Sequence, residues 1–163
     1  MLTSLIIALS AHAAPAQDMR APVTSLYKAF AWQALSENNK LFGDALMDQP
    51  AATLSQYFEP TLSRLIADDA ACQRRTHEIC HLDFDILFDS QDPRVTDLTI
   101  AVASHNTVEV RYKDPVSDAE TLITFTVAKQ AAGWRISDVS YAKQGSKTLR
   151  KLLSQPLKQG SAR

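Results

Sequence analysis

Four aspartates, Asp83, Asp85, Asp89 and Asp92, stand within ten residues, interleaved with Leu82, Phe84, Ile86, Leu87 and Phe88. Carboxylates so crowded could gather the roughly six to eight oxygens that a calcium ion takes. The stretch lacks the alternating acidic spacing of a calcium loop and has no glycine to fold it tightly, so no metal is expected there. The four read instead as turn-forming, capping and solvated carboxylates on an acidic surface, and the functional version of that surface faces a partner. The charge pattern around them is polarised. Residues 78–120 hold ten acidic and three basic side chains, whereas residues 121–163 hold eight basic and one acidic, within a chain of net charge −1.

Cys72, His77, Cys80 and His81 form a second cluster, with four possible zinc ligands in ten residues. Zinc sites pair their ligands two to four residues apart at two separate points, a pattern these spacings do not follow. Adjacent ligands at Cys80 and His81 would strain a tetrahedron. A disulfide between Cys72 and Cys80 is the favoured reading, with a metal site or two free thiols as the others. Closing that loop would stabilise the fold by roughly 2.5 kcal/mol on a chain-entropy basis. Eight residues of helix would hold the two Cα atoms about 12 Å apart, beyond the roughly 7 Å that a bridge spans. A helix entering from Leu54 is therefore expected to end near Cys72.

The disulfide reading leans on the first residues. Met1 to Ala13 carry no charged side chain, and Leu2 to Leu9 make a short apolar core. The small-residue triplets Ala11-His12-Ala13 and Ala14-Pro15-Ala16 follow, so a signal peptide over 1–16 is expected, cleaved after residue 13 or 16. No Lys or Arg precedes the core, which departs from the usual pattern. A membrane anchor would need about 20 apolar residues, and here His12 and Pro15 interrupt the run. The expected location is the periplasm, where thiols pair.

Acid/base chemistry would need inward-facing titratable side chains, and Tyr57, Asp138 and Tyr141 are the ones to inspect, with Phe58 and Trp134 as pocket walls. Asp138 also reads as a bulge carboxylate paired with Arg135 or a lysine, and Trp134 as rim packing. Nothing supports a serine nucleophile. The only glycines are Gly43, Gly133, Gly145 and Gly160, too few for a phosphate-cradling loop, and no cofactor is expected.

The elements that must position these groups can be read from periodicity. Pro22 opens a helix with Val23, Leu26, Tyr27, Phe30 and Ala34 on one face, fading over 36–39. Asp48 or Gln49 caps a second helix carrying Leu54, Phe58, Leu62, Leu65 and Ile66, kinked or broken at Glu59 by Pro60 and ending at Asp68-Asp69. Residues 72–97 show no clean period and read equally as a packed loop or a short strand. From Leu98 the period becomes two. Strands centred on Ile100, Val110 and Phe125 and one from Trp134 to Tyr141 form an antiparallel meander. A turn falls at His105-Asn106, and a parity slip between Ile136 and Val139 marks a bulge. Ser146 caps a last helix with Leu149, Leu152 and Leu153, ended by Pro156, and 157–163 form a loose tail. Helices followed by strands make an α+β fold over 17–156, a twisted sheet with helices on one face, shaped as a cone with a mouth.

The order helix, helix, irregular segment, meander, with Gly133-Trp134-Arg135-Ile136-Ser137-Asp138-Val139 in the last strand, resembles the nuclear-transport-factor-2-like superfamily. Tyr57-Phe58-x-Pro60-x-Leu62-x-x-Leu65-Ile66, Cys80-x-Leu82-Asp83-Phe84-Asp85 and Ser90-Gln91-Asp92 resemble domain-of-unknown-function family 3828 of exported bacterial proteins. The resemblance spans about residues 23–155. It implies a conical α+β barrel, a pocket between sheet and helices and an envelope location, and it implies no reaction.

The expected function is a non-catalytic binding or protein-interaction module with an envelope protein as partner. A small isomerase or dehydratase in the cone and a lipid or small-ligand carrier are the alternatives. A cone packed with Phe, Ile and Leu would remove both. Lys143, Lys147, Arg150, Lys151, Lys158 and Arg163 with the three leucines could lie on an anionic membrane, but a solvated helix face is the favoured reading, and no nucleic-acid partner is expected.

Overall fold

The computed structural model describes residues 18–35, 40–145 and 147–156. The expected signal peptide, the Ser146 cap and the 157–163 tail lie outside the described residues. Helix α1 spans Ala21–Phe30 and runs into a 3₁₀ turn, Ala31–Ala34; further 3₁₀ turns cover Lys40–Phe42 and Leu46–Asp48. Helices α2 (Ala51–Leu54) and α3 (Pro60–Thr76) precede strands β1 (Thr96–Ser104), β2 (Thr107–Lys113), β3 (Glu120–Gln130) and β4 (Gly133–Tyr141). A two-residue strand, β5 (Lys147–Thr148), and helix α4 (Leu149–Leu153) complete the order. The sheet is antiparallel throughout, in the order β1-β2-β3-β4-β5, so the meander expected from the two-residue period is present, with one short strand added.

Pro60 divides the second helical segment completely. It carries no N–H and disfavours helical geometry in the residue before it, and Glu59 is extended at ψ 158°. The freed backbone pairs with β4. Ile136 N–H donates to the Tyr57 carbonyl (2.8 Å) and Glu59 N–H to the Ile136 carbonyl (2.9 Å). No side chain caps α2, whose preceding residue is Pro50, so the expected Asp48 or Gln49 cap is not formed.

Helix α3 corrects two expectations. It passes Asp68-Asp69 and ends only at Thr76. Asp69 tolerates the helix because its carboxylate is buried and accepts hydrogen bonds from His81 and Gln73. The helix also continues one turn beyond Cys72. The left-handed backbone of His77 (φ 57°) reverses the chain and returns Cys80 to a Cα separation of 6.2 Å from Cys72, where the disulfide forms. The reversal, not an early helix end, satisfies the geometric limit.

The bulge lies where the parity slips. Thr126 pairs with Asp138 and Val127 with Ile136, which leaves Ser137 as the extra residue. Its hydroxyl donates to the Thr126 carbonyl at 3.1 Å. The bulge puts Ile136, Val139 and Tyr141 all on the buried face. The core lies between that face (Val108, Val110, Ile123, Phe125) and the helices (Leu26, Phe30, Leu62, Ile66). Thr148 caps α4 by accepting the Lys151 N–H.

Candidate functional site

Residues 72–97 resolve into two surfaces. The first is internal. Asp85 and Ser90 bridge as a short hairpin mouth, with Asp85 N–H donating to the Ser90 carbonyl at 2.9 Å. The four residues between them are driven into the core. Ile86, Leu87 and Phe88 have at most 1% of their surface exposed. The Phe88 ring lies edge-on to both Tyr27 and Tyr112, with centroids 5.9 Å away in each case.

A buried loop must find partners for its backbone, and here three tyrosines from three elements supply them. Tyr141 (β4) donates its hydroxyl to the Ile86 carbonyl at 3.1 Å, Tyr27 (α1) to the Leu87 carbonyl at 2.5 Å, and Tyr112 (β2) to the Phe88 carbonyl. Loss of solvent is the first cause that raises all three phenols above their ordinary range, Tyr27 and Tyr141 most strongly. Neutral, fully engaged hydroxyls suit a structural clamp. Asp89 closes the turn with positive φ (49°). It is buried, accepts from the Gln144 amide (2.9 Å) and, among the described residues, finds no partner for its other oxygen. Burial raises its carboxyl as well.

The five residues expected to line a pocket do not share an opening. Phe58 and Tyr141 show no exposed surface. Tyr57 is half-buried with its ring edge-on to Phe30. Asp138 accepts from the N–H groups of Val139 and Arg150, so it holds the first turn of α4; among the described residues no ion pair joins it to Arg135 or a lysine. Trp134 stands on the rim of a shallow cleft with Asp18, Pro22 and Arg135. The acidic quartet is likewise divided. Asp83 and Asp92 are exposed, Asp85 is half-buried and Asp89 is buried, because the 86–88 side chains pull the second half of the stretch inward. Asp89 is therefore no part of an acidic surface. On α4 the leucines face the core and Arg150 pairs with Glu59, so no apolar face remains on this helix for a membrane. Among the described residues no helix is long and apolar enough to cross one.

The second surface is a groove of about 450 Å³ on the outer side of the same segment. Met47, Ile79, Leu82 and Phe84 give it apolar walls, and Asp83 and Asp85 give it charge. Ile79 is 67% exposed and extends the apolar wall to the groove's rim. Asp85 is held in place from two sides. Its Oδ1 accepts the Leu87 N–H (2.7 Å) and its Oδ2 the Gln33 amide (2.5 Å), while the Gln33 carbonyl accepts the Leu46 N–H (2.5 Å). Desolvation raises the Asp85 carboxyl from 3.8 to about 6 against the pull of these donors. Among the described residues no Lys or Arg pairs with Asp83 or Asp85.

A polar hub fixes the groove's inner edge. Asp69 accepts from the backbone N–H of His81 (2.9 Å) and contacts its Nδ1 (2.8 Å). His81 Nε2 meets the Gln155 carbonyl (2.9 Å), and Gln73 donates to Asp69 and to the Leu82 carbonyl. His81 is thus a brace between α3 and the end of α4. Gln33, Gln73 and Asp69 carry no sequence signal for these roles. Tyr27, Tyr112 and Tyr141 carried a faint one, since a tyrosine at a buried periodic position needs an acceptor for its hydroxyl. Among the described residues, no three His, Cys, Asp or Glu side chains converge as a metal site.

Comparison of the chain with protein-family models, with curated proteins and with solved structures gives no match.

Proposed function

We propose that the chain is an exported, non-catalytic protein-interaction module with a conical, nuclear-transport-factor-2-like arrangement of helices on its sheet. One observation carries the reading: the space between sheet and helices, where a ligand pocket would lie, is filled by Ile86, Leu87 and Phe88. Their carbonyls consume the hydroxyls of Tyr27, Tyr112 and Tyr141, groups an acid/base site would otherwise have used. A carrier would need an open apolar cavity, and an isomerase or dehydratase would need two titratable groups converging on one space. The Cys72–Cys80 bond supports an oxidising compartment and hence the periplasmic reading. Function then falls to the outer surface, where the acidic groove combines exposed apolar walls with uncompensated charge.

The enzyme reading would rest on Asp85, whose carboxyl near 6 suits proton transfer. Capture of crosslinked partners from periplasmic extract, run in parallel on wild type and on Ile79→Asp, tests the proposal. A species retained by wild type and lost with the variant is expected. Equal recovery from both, or none at micromolar bait, would defeat it.

A further inference from the structure

Resting on that reading, we infer that the groove is built for an extended polypeptide segment of a partner protein that places a Lys or Arg side chain between Asp83 and Asp85 and rests a neighbouring aliphatic residue on Met47, Ile79 and Phe84. The chemistry of the walls selects this occupant. Among the described residues the groove is lined by two carboxylates and no cation, so it attracts positive charge. A metal ion is a poor candidate because, among the described residues, two acidic side chains line the groove, and Asp83 already accepts the Gln91 amide at 3.4 Å. A side-chain cation needs no such coordination number. It gains charge-assisted hydrogen bonds to carboxylates whose donors, Gln33 and the Leu87 N–H, leave further acceptor positions on each Asp85 oxygen. A purely polar cation would leave Ile79 in water, whereas an aliphatic neighbour covers it.

Asp85 is also pre-set. The two hydrogen bonds that orient it are made by groups anchored in the fold, so no side-chain ordering is left for the binding step. The titratable groups facing it from the packed elements are Tyr27 of α1, Tyr112 of β2 and Tyr141 of β4, with Asp89 on its own loop. The phenols stay neutral and none supplies a competing positive charge.

The test uses the whole disulfide-bonded chain, isotope-labelled for amide NMR, and two blocked pentapeptides of alternating sequence, leucine with arginine and leucine with glutamate. The arginine peptide should move the amide signals of 79–85, of 47 and of Leu87, whose N–H Asp85 holds, and spare those of β1, none of which lines the groove. Its affinity should fall about ten-fold or more in Asp85→Asn. It should rise between about pH 5 and pH 7 in wild type but not in that variant, since only the ionised carboxylate recruits the cation. Ile79→Ser, on an exposed rim that folding does not use, should weaken it as well. Equal binding of the glutamate peptide, signal changes elsewhere, or an affinity indifferent to Asp85 would overturn the inference. So would concentration-dependent self-association through 79–85, or movement of those signals on truncation after Pro156, which would assign the groove to a second copy or to the chain's own tail. A partner captured on another face would still uphold the interaction module while this inference fails.

Discussion

Residues 79–85 and 86–89 are neighbours in sequence, with similar apolar and acidic composition, and they do opposite things. The first segment lies at the surface, with Ile79 and Asp83 exposed, Leu82 turned into the core, and the backbone braced by a disulfide and by His81. The second lies inside, with every side chain buried and its carbonyls met by tyrosines. The division falls at Asp85, whose carboxylate binds the inner loop through Leu87 N–H and faces the outer groove. Composition does not distinguish the segments; the availability of hydrogen-bond partners does. The sharpest way to break the comparison is truncation on each side. Phe88→Ala should destabilise by about 3–5 kcal/mol, the usual cost of emptying a buried aromatic site, while Ile79→Ser should change stability by no more than about 0.5 kcal/mol. Urea unfolding midpoints read both. Comparable losses would mean that the outer segment is also core.

Asp85 gives the next effect, and its sign is fixed. Its carboxyl titrates near 6 in the fold against 3.8 ordinarily, so the folded state holds the proton more tightly. The stability linked to this group is fully present below about pH 4 and is lost as pH rises through about 6, by on the order of 3 kcal/mol. Asp114, lowered by the N–H groups of Ser117 and Val116, acts in the opposite sense at lower pH. The measurement is therefore the difference between Asp85→Asn and wild type, which should shift in favour of the variant from about pH 4 to pH 7. A flat difference would show that Asp85 is as solvated as Asp83. Replacing both cysteines by alanine should cost roughly 2.5 kcal/mol. Hydrogen exchange should then accelerate at 79–84 and stay slow at 86–88, which would place the bond's work in the outer segment.

The sequence was most legible where one period governs burial. The Val23-Leu26-Tyr27-Phe30 stripe, the strands and the Ser137 bulge follow from spacing alone, because a helix or strand buries one face whatever it packs against. Helix α3 runs past the end its sequence suggests. An Asp68-Asp69 pair looks like a terminus, yet Asp69 is satisfied by His81, twelve residues on, and no local rule sees that partner. The 86–89 loop was illegible for the same reason: its burial depends on hydroxyls 60, 24 and 55 positions distant. The candidate pocket of Tyr57, Phe58, Trp134, Asp138 and Tyr141 named residues of suitable type, but type does not report whether a hydroxyl is already engaged.

The smallest predicted effects test the clamp itself. Tyr→Phe at 27, 112 or 141 keeps the ring and removes only the hydroxyl, so packing is preserved and one buried carbonyl loses its donor. Such a loss costs about 1–3 kcal/mol when water cannot replace the partner. The three sites are all nearly inaccessible, at 4%, 3% and 0% exposure, so each variant should fall in that range by urea unfolding. Their acceptors sit on consecutive residues of one rigid turn, so the pair Tyr27→Phe with Tyr141→Phe should depart from additivity by about 0.5 kcal/mol or more. Once the first carbonyl is stranded, the turn can shift and relieve the second. Additive single losses would mean that each hydroxyl acts alone. Losses near zero would mean that water reaches the loop, and the space beneath the sheet would then be open to ligands after all.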